Sequence, residues 1–186
     1  MMSSSHNAEG FETTEKNVFL TGLPDSGKST VMIRCIEKLR RRGLAVGGIA
    51  TPEVRVRGRR VGFDVVDVAS GFKALMAGVE VSSSYRVGKY GVDVVAFESI
   101  ALPALEHIER ISDLGAIDEI GRMELLSEQF KKRVDELLMR EKPVLAVLHR
   151  NYVKSYGSEG ILYEVTQENR DSLVDMVTSH IVGLLE

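Results

Sequence analysis

Along this chain the apolar residues alternate between two spacings: short continuous runs, and longer stretches in which they recur every three or four positions. The first reads as buried strand, the second as amphipathic helix. Residues 18–21 open as a strand, and residues 29–42 form a helix closed by Gly43. Residues 45–50 read as a second strand. Residues 53–57 and 60–68 then alternate in polarity around Arg57-Gly58-Arg59, which predicts a β-hairpin with Val54, Val56, Val61, Phe63 and Val65 on one side. Further strands are expected near 83–86 and over 92–97. A helix follows over 102–111, with Pro103 in its first turn, where no amide donor is needed. A short buried strand over 114–117 ends at Asp118-Glu119, and Leu126, Phe130, Val134, Leu137 and Leu138 mark one face of the next helix. Strands over 144–148 and 161–165 and a last helix capped by Asn169 complete the series. Strands alternating with helices predict an α/β fold with a mostly parallel central sheet flanked by helices and an inserted β-hairpin.

Composition narrows the class. At 186 residues and 44% hydrophobic content the chain supports one core and one domain, residues 17–186, behind a polar leader over 1–16 expected to be disordered. The formal charge of -3 gives no general attraction to nucleic acid or to an anionic membrane. Cys35 is the only cysteine and falls among Val31, Met32, Ile36 and Leu39, so it reads as a buried helix residue. No apolar stretch approaches the length of a membrane span, and a reducing, cytoplasmic setting is expected.

The chemistry sits between the first strand and the first helix. Gly22-Leu23-Pro24-Asp25-Ser26-Gly27-Lys28-Ser29 is a complete phosphate-binding loop, a Walker A motif, in the strand–loop–helix context it requires. Its glycines turn backbone amides inward, and the helix N-terminus adds a positive end for a polyphosphate. Lys28 is placed to reach the β and γ phosphates, Ser29 to give Mg²⁺ a hydroxyl, and Thr30 to lie near an α phosphate. Asp118, at the tip of a buried strand, is the candidate second metal anchor, and Glu119 beside it the candidate base for an attacking water. An acidic pair that merely begins a solvated loop is the alternative. Arg122 shares that loop and is either a transition-state cation or an exposed one. Arg55, Arg57, Arg59 and Arg60 on the hairpin form either a solvated face or a lid. Glu124 either organises the loop or caps the helix that follows, the cap being the expected role, and Asn169 and Arg170 could approach a base from the loop after the last strand, although capping suffices for Asn169.

The strings Ile117-Asp118-Glu119-Ile120-Gly121-Arg122-Met123-Glu124-Leu125, Arg86-Val87-Gly88-Lys89-Tyr90-Gly91-Val92-Asp93 and Thr166-Gln167-Glu168-Asn169-Arg170-Asp171 are similar to those of the small P-loop nucleoside-triphosphatases. That resemblance implies slow Mg²⁺-dependent hydrolysis of nucleoside 5′-triphosphates (ATP, GTP, CTP and UTP) with loose base preference. It also implies that the strand over 144–148 lies between the P-loop strand and the strand of Asp118, with His149 at a sensor position. Two other classes stay open. A nucleotide or small-molecule kinase would use the same cradle with an acceptor pocket, and a nucleotide-gated binding module would use hydrolysis only to reset a partner. No Asn-Lys-x-Asp guanine-reading motif is present.

Overall fold

The strand Val18–Thr21 (β1) is buried along its whole length, as a strand covered by helices on both faces must be. Residues 16–186 are described by the computed structural model; the leader expected at 1–16 lies outside the described residues, Lys16 excepted. From β1 the chain passes through a loop into α1 (Lys28–Arg41) and β2 (Val46–Ala50). An antiparallel excursion follows: β3 (Glu53–Val56), β4 (Arg59–Asp67), β5 (Lys73–Gly78), β6 (Arg86–Val87) and β7 (Tyr90–Val92). The chain then returns through α2 (Val94–Ile111), β8 (Leu114–Ile120), α3 (Glu128–Met139), β9 (Val144–Leu148), α4 (Val153–Tyr156), β10 (Ile161–Glu164) and α5 (Arg170–Leu185).

All strands join one 10-stranded sheet in the order β10-β1-β9-β8-β2-β4-β5-β7-β6, with β3 paired to β4. The five strands from β10 to β2 are parallel. β9 lies between β1 and β8, as the resemblance implies. Alternate residues of these strands feed two cores. Val18, Leu20, Leu145 and Val147 face α1 and α5 with Met32, Leu39 and Val177. Phe19, Ala146 and Leu148 face α2 and α3 with Phe97, Leu105 and Phe130. No helix is long and apolar enough to cross a membrane among the described residues.

Two expectations change. The run over 92–97 is not a strand: β7 stops at Val92, and the Asp93 carboxylate accepts a bond from the Ala96 amide (2.9 Å), which starts α2 there. A β-branched run entered through a side-chain cap becomes helix because the cap and the packed face outweigh the propensity. Pro103 consequently sits inside α2, on an exposed position, and not in a first turn. The hairpin is the start of a larger antiparallel ribbon, whose strand Lys73–Gly78 reads as Lys-Ala-Leu-Met-Ala-Gly. Nothing in that string favours a strand locally; pairing with β4 and burial of Met76 and Ala77 impose it. Val65 is fully buried, whereas Val56, at the hairpin tip, is exposed.

Asn17 ties the parallel strands together at the end opposite the loop. Wholly buried, it donates to the carbonyls of Leu138 and Glu159 (both 2.9 Å) and accepts from the Val144 amide (3.2 Å). Asn17→Ala leaves these groups without a partner, and the expected loss is about 2–4 kcal/mol at an unchanged denaturant slope, read from urea unfolding.

Candidate active site

The carboxyl ends of the parallel strands meet at one edge of the sheet, and Lys28, Ser29, Asp118, Glu119 and His149 lie there, the hairpin arginines apart. The loop after β1 turns through Gly22 (φ 144°), Asp25 (φ 59°) and Gly27 (φ 98°). A Cβ on Gly22 would lie 2.6 Å from the Val165 carbonyl oxygen, so the end of β10 presses on the loop and only glycine fits. The Lys28 ammonium folds back and donates to the carbonyls of Leu23 (2.8 Å) and Gly22 (3.2 Å), while Ser26 N–H donates to Leu23 O (3.2 Å). Two buried hydroxyls at the loop, Thr21 Oγ1 and Ser26 Oγ, find no partner among the described residues. Leu23, Pro24, Asp25, Ser29 and Thr30 are exposed around it.

Opposite the loop, Asp118 is the last of five consecutive buried residues of β8, before half-buried Glu119 and buried Ile120. The Ser29 hydroxyl and the Lys28 ammonium are the groups that favour its charged form. Burial dominates, and it pushes the Asp118 pKa up to about 6. Pairing with β9 slips between Asp118 and Ile120, and such an irregularity re-aims the intervening side chain. That residue is Glu119, whose pKa rises to about 7 through burial and through Asp118, against a smaller pull from Lys28. Thr51, one residue past β2, fastens the strand end by donating to the Asp118 carbonyl (2.9 Å).

Glu124 departs from its expected role. Ser127 caps α3 by accepting from Phe130 N–H (3.0 Å), and Glu124 is 4% exposed in a short 3₁₀ turn. A Cβ on Gly121 would meet Glu119 Oε1 at 2.5 Å and Glu124 Oε2 at 2.9 Å, so both carboxyls converge on that glycine. The Glu124 pKa is raised well above the usual range, first by burial and then by Glu119. Asn169 also departs: it stands at the N-cap of α5, but its Oδ1 accepts from Thr166 N–H (2.8 Å) and its Nδ2 donates to the Glu164 carbonyl (2.8 Å).

His149 N–H donates to the Ile120 carbonyl (3.1 Å), and its Nδ1 accepts from the Asn151 amide (3.2 Å), which leaves Nε2 to carry the proton of the neutral ring. Burial lowers its pKa, as do the charges of Arg150, Lys28 and Arg122, so these cations share its surroundings. Arg122 is exposed. On the hairpin, Arg55 and Arg60 are both held by Glu53, Arg60 also donates to Tyr90 OH (3.1 Å), and Arg57 and Arg59 make no such bond among the described residues.

A family model described as NTPase matches residues 17–178. The chain belongs to the NTPase family. It is 44% identical over 156 residues to the nucleoside-triphosphatase THEP1 of Methanothermobacter thermautotrophicus, covering 83% of this chain and 89% of that protein. The Methanocaldococcus jannaschii protein of the same name is 36% identical over 169 residues, 91% of this chain and 99% of the relative. Among solved structures, THEP1 from Aquifex aeolicus superposes with a TM-score of 0.77 at 30% identity, over 89% of this chain and 98% of that one. A human cancer-related nucleoside triphosphatase gives 0.77 at 33%, over 90% and 98%. The NTPase fold thus joins the loop at 22–29 to the carboxylates at 118 and 119 across β9.

Three protonated carboxyls in the folded chain set a sign for stability against pH. An unfolded aspartate or glutamate loses its proton near pH 4, whereas Asp118 holds its proton to about 6, Glu119 to about 7, and Glu124 well above the usual carboxylate range. The folded state therefore binds more protons in that window, and stability present below pH 4 is lost as pH rises through it. In EDTA, Glu124→Gln should gain on the native protein as pH rises above the ordinary glutamate range, by up to about 1.4 kcal/mol per unit. Urea unfolding of both proteins at each pH measures it; a difference independent of pH would remove the buried proton from Glu124.

Proposed function

We propose that this NTPase hydrolyses nucleoside 5′-triphosphates to diphosphate and phosphate with Mg²⁺ and loose base preference, taking ATP, GTP, CTP and UTP, in the cytoplasm. The observation that carries the reading is the facing of a phosphate loop and the adjacent carboxylates of buried Asp118 and half-buried Glu119 across one strand. Asp118 and Ser29 suit a hard cation: both offer oxygen, both lie at the loop, and burial leaves the carboxylate with too little positive charge beside it. Mg²⁺ held there would neutralise charge on the β and γ oxygens.

The loop amides from Gly22, Leu23, Pro24, Asp25, Ser26 and Gly27 to Thr30, proline supplying only its carbonyl, wrap the phosphates. Lys28 exchanges its two carbonyl partners for β and γ oxygens. Glu119, in the ionised form that its pKa of about 7 leaves available near neutral pH, takes the proton of a water aligned with the γ phosphorus. The new oxygen–phosphorus bond forms as the bond from the γ phosphorus to the β–γ bridging oxygen breaks, and the diphosphate leaves with that electron pair. Arg122, on the same loop and close enough to influence His149, meets charge on the transferring group.

Free phosphate released from a panel of triphosphates, with and without Mg²⁺ and with no acceptor added, tests the reading; no release without an acceptor would favour a kinase. Lys28→Ala should abolish nucleotide binding and turnover while keeping the ligand-free melting transition. Glu119→Gln should keep binding and lose roughly a hundredfold to ten-thousandfold in turnover. A loss under about threefold would move the base elsewhere. Arg122→Ala should cost roughly a thousandfold in turnover with little change in affinity, and the Arg57→Ala, Arg59→Ala pair much less. The reverse ranking would make the hairpin a lid, since β4 runs roughly 20 Å past its pairing with the end of β2 on this edge.

A further inference from the structure

Arg170 lies across the phosphate loop. The position of a Cβ on Gly27 falls 2.5 Å from Arg170 Cδ, 3.1 Å from one guanidinium nitrogen and 3.5 Å from Nε. Gly27 is thus glycine twice over, once for its φ of 98° and once because this side chain occupies the space beside it. The guanidinium makes no hydrogen bond or ion pair among the described residues; its only recorded electrostatic neighbour is the exposed Glu168. It is also a cation in the first turn of α5, where the helix dipole disfavours positive charge. The acidic residue beside it, Asp171, is spent on Arg34 of α1.

The strand order fixes which end of a nucleotide meets this group. Asp118 and Glu119 end β8, reached from β1 by crossing β9, and Arg170 follows β10, which flanks β1 on the opposite side. A triphosphate strung along the loop with its γ phosphate toward the carboxylates has its nucleoside toward β10. We infer that Arg170 is the platform on which the nucleobase stacks, and that this contact explains tolerance of different bases; the inference rests on the hydrolase reading above. A guanidinium plane attracts the π-face that every base shares. The side chain that would read a base edge from the same loop, Asn169, has its amide committed to Thr166 and Glu164. Affinity without edge recognition gives nucleoside triphosphates as a class.

The test measures binding of non-hydrolysable ATP, GTP, CTP and UTP analogues and of inorganic tripolyphosphate, which has no base, by calorimetry with Mg²⁺. Native protein must bind the nucleotides, or the hydrolase reading itself fails. Stacking on arginine or an aromatic ring is worth about 1–3 kcal/mol per base, or roughly five- to 150-fold. Arg170→Ala should therefore weaken all four nucleotides by about tenfold, within that range, and leave tripolyphosphate unchanged. Arg170→Lys, which keeps charge and loses the plane, should not rescue, and Arg170→Trp should, purines above pyrimidines. Melting transitions of the three variants should match the native protein, since the side chain is partly exposed and unbonded. Equal weakening of tripolyphosphate, or rescue by lysine, would make Arg170 a phosphate contact and overturn the inference. So would unchanged affinity for every nucleotide.

Discussion

A carboxylate kept out of water beside a single ammonium is the constraint from which the rest of this molecule can be read. Asp118 is 7% exposed, and Lys28 and the Ser29 hydroxyl are what the chain offers to hold its charge. An isolated buried carboxylate answers by taking up a proton or by acquiring a cation. On the function proposed above, a metal and a polyphosphate would supply the compensation that the protein withholds. Lys28, folded onto the carbonyls of its own loop, is the other half of that constraint.

Holding such a pair apart without collapse requires stiff surroundings. The parallel strands supply them, since β1, β9, β8 and β2 are buried on both faces, β10 flanks them at the edge, and their carboxyl ends lie together. The strand of Asp118 is anchored where it ends, by Thr51 from β2 and by the Ile120 carbonyl, which accepts from His149. Glu124 completes this edge from below: buried against Gly121 and Glu119, it links the protonation of the candidate base to a side chain that does not face solvent. Function and folding are in tension here, because charging these carboxyls weakens the fold while chemistry needs at least one of them charged.

Division of labour across β1 follows from the same topology. On the β9 and β8 side lie Asp118 and Glu119, with His149 and Arg122 nearby. On the β10 side lies Arg170, laid on Gly27. The polar contacts between α1 and α5, Arg34 to Asp171 and Lys38 to Asp175, fix the helix that presents Arg170. These pairs are exposed and worth little energy individually. Their use is orientation, together with the buried seam of Cys35, Val174 and Val177.

Much of this was legible in the residues. Val18-Phe19-Leu20, the glycines and Lys28 that follow, and the run Leu114 to Ile117 before two acidic residues specify a phosphate loop and a second strand tip, because local period and glycine placement are enough to encode them. The larger antiparallel ribbon was not, since Lys73-Ala-Leu-Met-Ala-Gly78 becomes a strand only by pairing with β4. Nor was the start of α2, where one Asp93 bond outvotes a β-branched run. Glu124 reads as a cap because it precedes a helix, and Asn169 because it begins one; Glu124 is instead buried beside Glu119, and Asn169 turns back to Thr166 and Glu164, because packing of the loop outcompetes the cap. Arg170 is 143 positions from Gly27 in sequence and in contact with it in space. Motif chemistry was written locally and the sequence alone determined it, whereas which distant charge meets which glycine is set by strand order and helix packing, and only the tertiary structure decided it.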